Sequence, residues 1–184
     1  MLTQTVAVVS GYTNGVETAN NIRAGLRVDV AFSPRLRIYA LGLFERNTYA
    51  GIARRFEEQV GGSWGVIVGP VHLLELEGGA GRNQQTSPAA QITDYWLGRA
   101  AAHYRFTFRP TVRPNTYLDE KVEVLQSLQT GSERRINSEA AIVAPLSGRI
   151  ALRFGYTIHF VNEPPDTTYK KTDQIVSSGI QIIF

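Results

Sequence analysis

Residues 173–184 read Asp-Gln-Ile-Val-Ser-Ser-Gly-Ile-Gln-Ile-Ile-Phe. Counting back from Phe184, one set of alternate positions holds Ile182, Ile180, Ser178 and Val176, and the other holds Ile183, Gln181, Gly179, Ser177, Ile175 and Asp173. Successive side chains of a strand point to opposite faces. This segment therefore has one greasy face, one small or polar face and an aromatic end. Such an ending fits the closing strand of a transmembrane β-barrel, and it makes Phe184 the expected signal by which barrel-assembly machinery engages the C-terminal strand.

The alternation recurs upstream. In residues 149–162, Ile150, Leu152, Phe154, Tyr156, Ile158 and Phe160 share one face, while Ala151, Arg153, Gly155, Thr157 and His159 share the other. At roughly 3.3 Å per residue this segment extends well past ~30 Å, enough to cross a bilayer when tilted. Ile22, Ala24, Leu26, Val28 and Val30 oppose Arg23, Gly25, Arg27 and Asp29. Leu36, Ile38, Ala40, Gly42 and Phe44 oppose Arg37, Tyr39, Leu41, Leu43 and Glu45. Similar faces run through residues 96–105 and 118–128, and further strands are expected at 3–12, 57–68, 73–81 and 135–146. The pattern predicts about ten strands in an all-β, antiparallel, up-and-down transmembrane barrel occupying residues 1–184 as one domain.

Composition narrows the alternatives. Hydrophobic residues make up 43% and charged residues 19% of 184, too mixed for helical spans of about 20 apolar residues. Mean hydropathy is -0.14, so a membrane location requires a closed barrel. With no Cys there is neither a disulfide framework nor a thiolate nucleophile. The formal net charge of +3 is small and spread along the chain, which argues against nucleic acid as a partner. Met1, Leu2, Thr3 and Gln4 lack the basic and apolar regions of an export signal, so a mature form, or one restarted at a new Met, is expected.

Turn chemistry gives a second signal. Short links are expected at Ser33-Pro34, Gly69-Pro70 and Ser147-Gly148, and a somewhat longer one at 109–114. Longer polar stretches lie at 13–18, 47–54, 82–93, 129–134 and 163–171. Short turns at one rim and long loops at the other suit an outer-membrane barrel with both termini at the periplasmic rim. Tyr12, Phe32, Tyr104, Phe106, Phe108, Phe160 and Phe184 are candidates for interfacial aromatic girdles.

Phe44-Glu45-Arg46 followed by Tyr49-Ala50-Gly51 resembles the YERD-x-FAG segment of the DUF481 family, salt-induced outer-membrane proteins of Gram-negative bacteria. Leu74-Glu75-Leu76-Glu77-Gly78-Gly79-Ala80-Gly81 is similar to its Gly-rich fifth-strand motif. Pro164-Pro165, then Lys170-Lys171-Thr172-Asp173, resembles its PP…KKTD ending. The family's usual Gly-Asn-Thr first strand is not found before the region matched by residues 2–12, so twelve strands are expected in a full-length member. The resemblance implies an outer-membrane barrel without a settled biochemical role.

The charged faces are expected to point into the lumen: Arg23, Arg27, Asp29, Arg37, Glu45, Glu75, Glu77, Arg99, His103, Arg105, Asp119, Lys121, Glu123, Arg135, Glu139, Arg153, His159 and Asp173. Both signs are present, which predicts a self-neutralising network. About eight strands give an interior just filled by side chains, whereas open porins need about sixteen. A narrow or filled lumen follows, with a small-solute or ion pore as the alternative. A barrel subunit anchoring a larger assembly, or associating with itself, is a third reading. A lipocalin-like soluble barrel fits less well, because it would put apolar residues inside.

If the last hairpin turns about Asp166, His159 faces Asp173 across adjacent strands, about 5 Å apart at Cβ. An imidazole–carboxylate pair can activate water, but no nucleophile is fixed beside it, so no enzymatic activity is expected. Gly78-Gly79-Ala80-Gly81 lacks the helix and Lys-Ser/Thr of a phosphate loop and reads as close packing. Glu57-Glu58 and Glu75 with Glu77 are weak candidates for a divalent cation, with ion pairing to Arg favoured, and neither a metal nor a cofactor is expected. Arg54-Arg55 and Arg134-Arg135, in or beside the long loops, read first as solvated loop charge, with contact to lipopolysaccharide phosphates as the alternative.

Overall fold

A computed structural model of the protein describes residues 1–13, 16–108, 115–147, 149–164 and 170–182. Ten strands follow one another: β1 (Leu2–Thr13), β2 (Val16–Ala31), β3 (Leu36–Asn47), β4 (Ile52–Val68), β5 (His72–Thr86), β6 (Ile92–Thr107), β7 (Tyr117–Ser127), β8 (Arg134–Pro145), β9 (Ile150–Val161) and β10 (Thr172–Ile182). Each pairs antiparallel with its sequence neighbour, so spatial order and chain order are the same. The result is an all-β, up-and-down, strongly curled sheet with the character of a β-barrel. Among the described residues β1 and β10 form its two ends and are not paired to each other.

Burial follows the period of two. Along β4, Arg55, Glu57, Gln59, Ser63 and Gly65 are buried, while Phe56, Glu58, Val60 and Trp64 are exposed. Inside and outside are thus inverted relative to a soluble protein. The buried set includes Asp29, Arg55, Glu57, Gln59, Asn83, Asp119 and Arg135, and the exposed set includes Leu26, Val28, Ile38, Phe56, Val60, Trp64, Leu76, Trp96, Leu152, Phe154 and Ile180. Curl brings distant strands together: an Arg of β8 reaches a Glu of β4, and an Arg of β2 reaches a Glu of β5.

Three strands are longer than the sequence pattern suggests. β4 begins at Ile52, not 57; β5 runs to Thr86, not 81; β6 begins at Ile92. Residues 52–54 and 82–86 read as loop because the Arg54-Arg55 doublet and the run Arg-Asn-Gln-Gln-Thr interrupt the aliphatic face. They are paired strand, Arg54–Phe56 lying opposite Gln84–Thr86. The contrast between long and short connections shrinks accordingly. Four residues separate β3 from β4 and five separate β5 from β6 at one rim; four separate β2 from β3 and β8 from β9 at the other. Loop length therefore does not distinguish the rims. One connection has its own cap: Asn47 accepts from the Ala50 amide at 3.1 Å, and Gly51, at φ 73°, takes the left-handed turn into β4, a conformation glycine adopts without steric cost.

The two end strands are the least covered part of the fold. Residues 2–8 of β1 and 172–180 of β10 are exposed on both faces, and among the described residues each end strand has a hydrogen-bonded ladder on one side only. Amide exchange followed by mass spectrometry should therefore show β10 exchanging fastest and β4–β6 slowest. Equal protection of β10 and β5 would contradict this.

Candidate functional site

The interior is built from odd-numbered side chains in strands β2 to β9. A hydrogen-bonded belt runs through it. Arg27 on β2 donates to Asp29 from Nη2 at 2.9 Å and from Nε at 3.1 Å. The same guanidinium spans to Glu77 on β5, with contacts of 2.7 and 3.1 Å. Arg99 on β6 donates to Glu77 and, through Nε, to Glu123 on β7, each at 2.5 Å. Asn137 on β8 donates to Glu123 at 2.9 Å, and its Oδ1 meets His159 Nδ1 on β9 at 2.9 Å. A single polar chain thus links β2, β5, β6, β7, β8 and β9.

Tyr39 of β3 lies in the middle of this belt and is 3% exposed. Its hydroxyl accepts from Arg99 Nη1 at 2.9 Å, and the Arg27 guanidinium sits 4.2 Å from its ring centroid. Cation–π stacking of this kind is favourable where water is excluded. Tyr39 fits because β4 and β5 offer bare backbone beneath it. A Cβ at Gly61 would lie 2.5 Å, and one at Gly79 2.6 Å, from the phenol oxygen. The Gly-rich segment of β5 is therefore a bed for a tyrosine, in keeping with close packing and unlike a phosphate loop.

A second cluster closes the interior nearer the rim that carries the β3–β4 and β5–β6 connections. Arg135 on β8 forms an ion pair with Glu57 on β4 across the lumen, at side-chain exposures of 10% and 2%. Glu57 also accepts from Gln59 at 3.0 Å. Arg55 is held between Glu45 at 2.8 Å and Gln85 at 2.9 Å. Asn83, Leu97 and Leu125 fill the same level and are almost completely buried; neither amide atom of Asn83 has a hydrogen-bond partner among the described residues. On either side of this plug lies a cavity. One, of about 220 Å³, is lined by Arg55, Arg135, Tyr95, Glu133 and Glu163. The other, of about 550 Å³, holds five cationic side chains, Arg23, Arg27, Arg37, Arg99 and Lys121, against five carboxylates, Asp29, Glu75, Glu77, Glu123 and Glu139.

The remaining residues expected in the lumen fall into smaller pairs. Arg37 is ion-paired with Glu75 and Arg153 with Glu139. His103 and Arg105 share Asp119 at 3.0 and 2.7 Å. Glu45 belongs to the plug. Arg23 and Lys121 line the larger cavity without an ion pair among the described residues. His159 and Asp173 are opposite in register, as the hairpin symmetry predicts. They do not form the expected dyad, because His159 is engaged by Asn137 and Asp173 is exposed on an end strand. Phe184 and Pro165 lie outside the described residues.

Sequence reasoning missed Arg55, Glu57, Gln59, Asn83 and Tyr95. The doublets Arg54-Arg55 and Glu57-Glu58 do not act as units, because the two members of each point to opposite sides. Arg54 and Glu58 are exposed, whereas Arg55 and Glu57 are buried. Carrying the alternation of Phe56 and Val60 a few residues toward the N-terminus would have found them.

The chain belongs to the family described as "Protein of unknown function, DUF481", whose model matches residues 2–182. No curated protein sequence matches it significantly.

Two measurements test the plug and its mouth. Removing one partner of a buried pair leaves an uncompensated charge, at a cost of about 3–5 kcal/mol. Glu57→Leu and Arg135→Met should each lower stability by that order in urea unfolding followed by Trp fluorescence, and the double variant should recover most of the loss; additive losses would contradict the pairing. At the mouth, burial and then the neighbouring Glu163 carboxylate raise the Glu133 carboxyl above its ordinary value. A raised carboxyl favours the folded state when protonated, and that contribution fades as pH rises through its folded value. Glu133→Gln should remove this falling component from the pH–stability curve.

Proposed function

We propose that this protein is an outer-membrane β-barrel of a Gram-negative bacterium, with a lumen closed by its own side chains and a structural role in the envelope under salt stress. The exterior carries this reading. At one rim His72, Tyr104, Phe106 and Phe108 form an aromatic cluster, with His72 Nδ1 2.8 Å from the Tyr104 hydroxyl and the Phe106–Phe108 centroids 4.8 Å apart. Toward the other rim, Glu58, Arg82 and Trp96 share one row. Arg82 lies ten residue steps along β5 from His72, roughly 33 Å along a strand. At a tilt of about 40° this is ~25 Å along the membrane normal, the height of the apolar band of such barrels. Between the limits the outward positions of β4–β6 are Leu74, Leu76, Gly78, Ala80, Val60, Gly62, Trp64, Gly98, Ala100 and Ala102, without a charge among them.

Between the two boundaries the exterior is apolar, and the interior is lined mainly by charged and polar side chains. A soluble lipocalin-like barrel would reverse both faces. The charge balance of the larger cavity and the Arg135–Glu57 plug favour a closed lumen over a pore selective for one sign of ion. Both ends of an even-stranded meander emerge at the rim with the aromatic cluster, which we assign to the periplasm; the rim beyond Arg82 then faces outward.

The purified chain should need detergent to stay monodisperse, and solubility in plain buffer would overturn the membrane reading. In planar bilayers the inserted protein should give no stable conductance steps, whereas Glu57→Ala with Arg135→Ala should open them. Steady channels in the unmodified protein would favour the small-solute pore.

A further inference from the structure

Arg46 and Arg54 stand at the tops of β3 and β4 on the outside of the sheet. Both are exposed. Arg54 donates to Thr86 Oγ1 at 3.3 Å, and neither has a carboxylate partner among the described residues. Lower on the same wall, Arg82 is bound to Asp94 through two contacts of 2.9 and 2.5 Å, and Glu58 lies opposite that same arginine. Among the described residues these two cations therefore stand without counter-ions at the tops of adjacent strands.

Directly beneath them the surface changes character. Phe44 and Phe56 pair in register, with centroids 5.1 Å apart. Below the aromatic pair a shallow groove of about 440 Å³ runs between Val6, Ala24, Leu26 and Gly42. A Cβ at Gly42 would meet nothing within 4 Å, so the missing side chain leaves open space. A neighbouring hollow of about 510 Å³ shares Leu26 and Gly42 and continues the depression across Ala40 and Ala80.

Resting on the membrane reading above, we infer that this shoulder binds a phosphorylated, acylated lipid of the outer leaflet, its phosphate on Arg46 and Arg54 and an acyl chain in the groove over Gly42. Guanidinium groups match phosphate oxygens in a two-point, charge-assisted geometry. The groove offers apolar area to a chain that would otherwise lie against a less complementary wall. A second copy of the protein fits less well, because two copies inserted in the same orientation would hold their cationic shoulders at one height along a shared face, a like-charge contact. Glu58 borders the groove on the β4 side, opposite Arg82 in register.

The full chain, folded in a neutral detergent, can be titrated with diphosphorylated lipid A and with the same lipid after phosphate removal, bound lipid being counted by native mass spectrometry. Diphosphorylated lipid A should bind at least about tenfold more tightly than the dephosphorylated form. Arg46→Ala with Arg54→Ala should abolish that preference. Gly42→Leu should weaken both lipids, while Arg35→Ala with Arg149→Ala, at the opposite rim, should change neither. Equal binding of the two lipids, an unaffected double arginine variant, or loss of self-association in place of lipid would overturn the assignment. Because these readouts are taken on folded, detergent-bound protein, such a failure leaves the membrane reading intact; monodispersity without detergent would remove both.

Discussion

Charged side chains on the inner face of a curled sheet must find partners within reach, and the rest of this structure is arranged around that requirement. Taking an isolated guanidinium or carboxylate out of water costs several kcal/mol, and the cost is recovered only through close, hydrogen-bonded pairing. Here the pairing is shared. Glu77 serves two arginines, Arg99 serves two glutamates and a tyrosine hydroxyl, and the belt passes from strand to strand until it ends at His159. Tyr39 is the fixed point, since it stacks under Arg27 and bonds Arg99 only because Gly61 and Gly79 leave room for its ring.

The same requirement explains why the interior is divided into two cavities. Arg135 and Glu57 come from strands far apart in the sheet order, so satisfying both charges draws opposite walls together. Arg55 and Gln85 thicken the barrier on one side, and Leu97 and Leu125 seal what polar groups cannot fill. Strand pairing and charge pairing therefore act in different directions, one along the sheet and the other across it.

Much of this was legible in the sequence because the strand period is two. The opposed faces of residues 22–30, 36–45 and 150–160 recur in the structure, and the register of the last hairpin set His159 against Asp173. Misreadings came where the aliphatic face was interrupted. Residues 82–86 carry Arg, Asn, two Gln and Thr; their polarity has a strand meaning only when the neighbours are known, Asn83 and Gln85 filling the lumen and Arg82 answering Glu58 and Asp94. Tyr39 was correctly placed on the inner face, yet its importance depends on glycines in two other strands.

The sequence by itself determined the strand order, the inverted faces and the family to which the chain belongs, because alternation and turn residues are local and a meander pairs neighbours with neighbours. Only the tertiary structure decided which charge meets which. His159 turns from Asp173 to Asn137, Arg55 leaves its doublet partner Arg54 for Glu45, and Arg135 finds Glu57. Those choices follow from the curvature of the sheet, which sets the distance across the lumen, and no period along the chain encodes a distance between strands that are not neighbours.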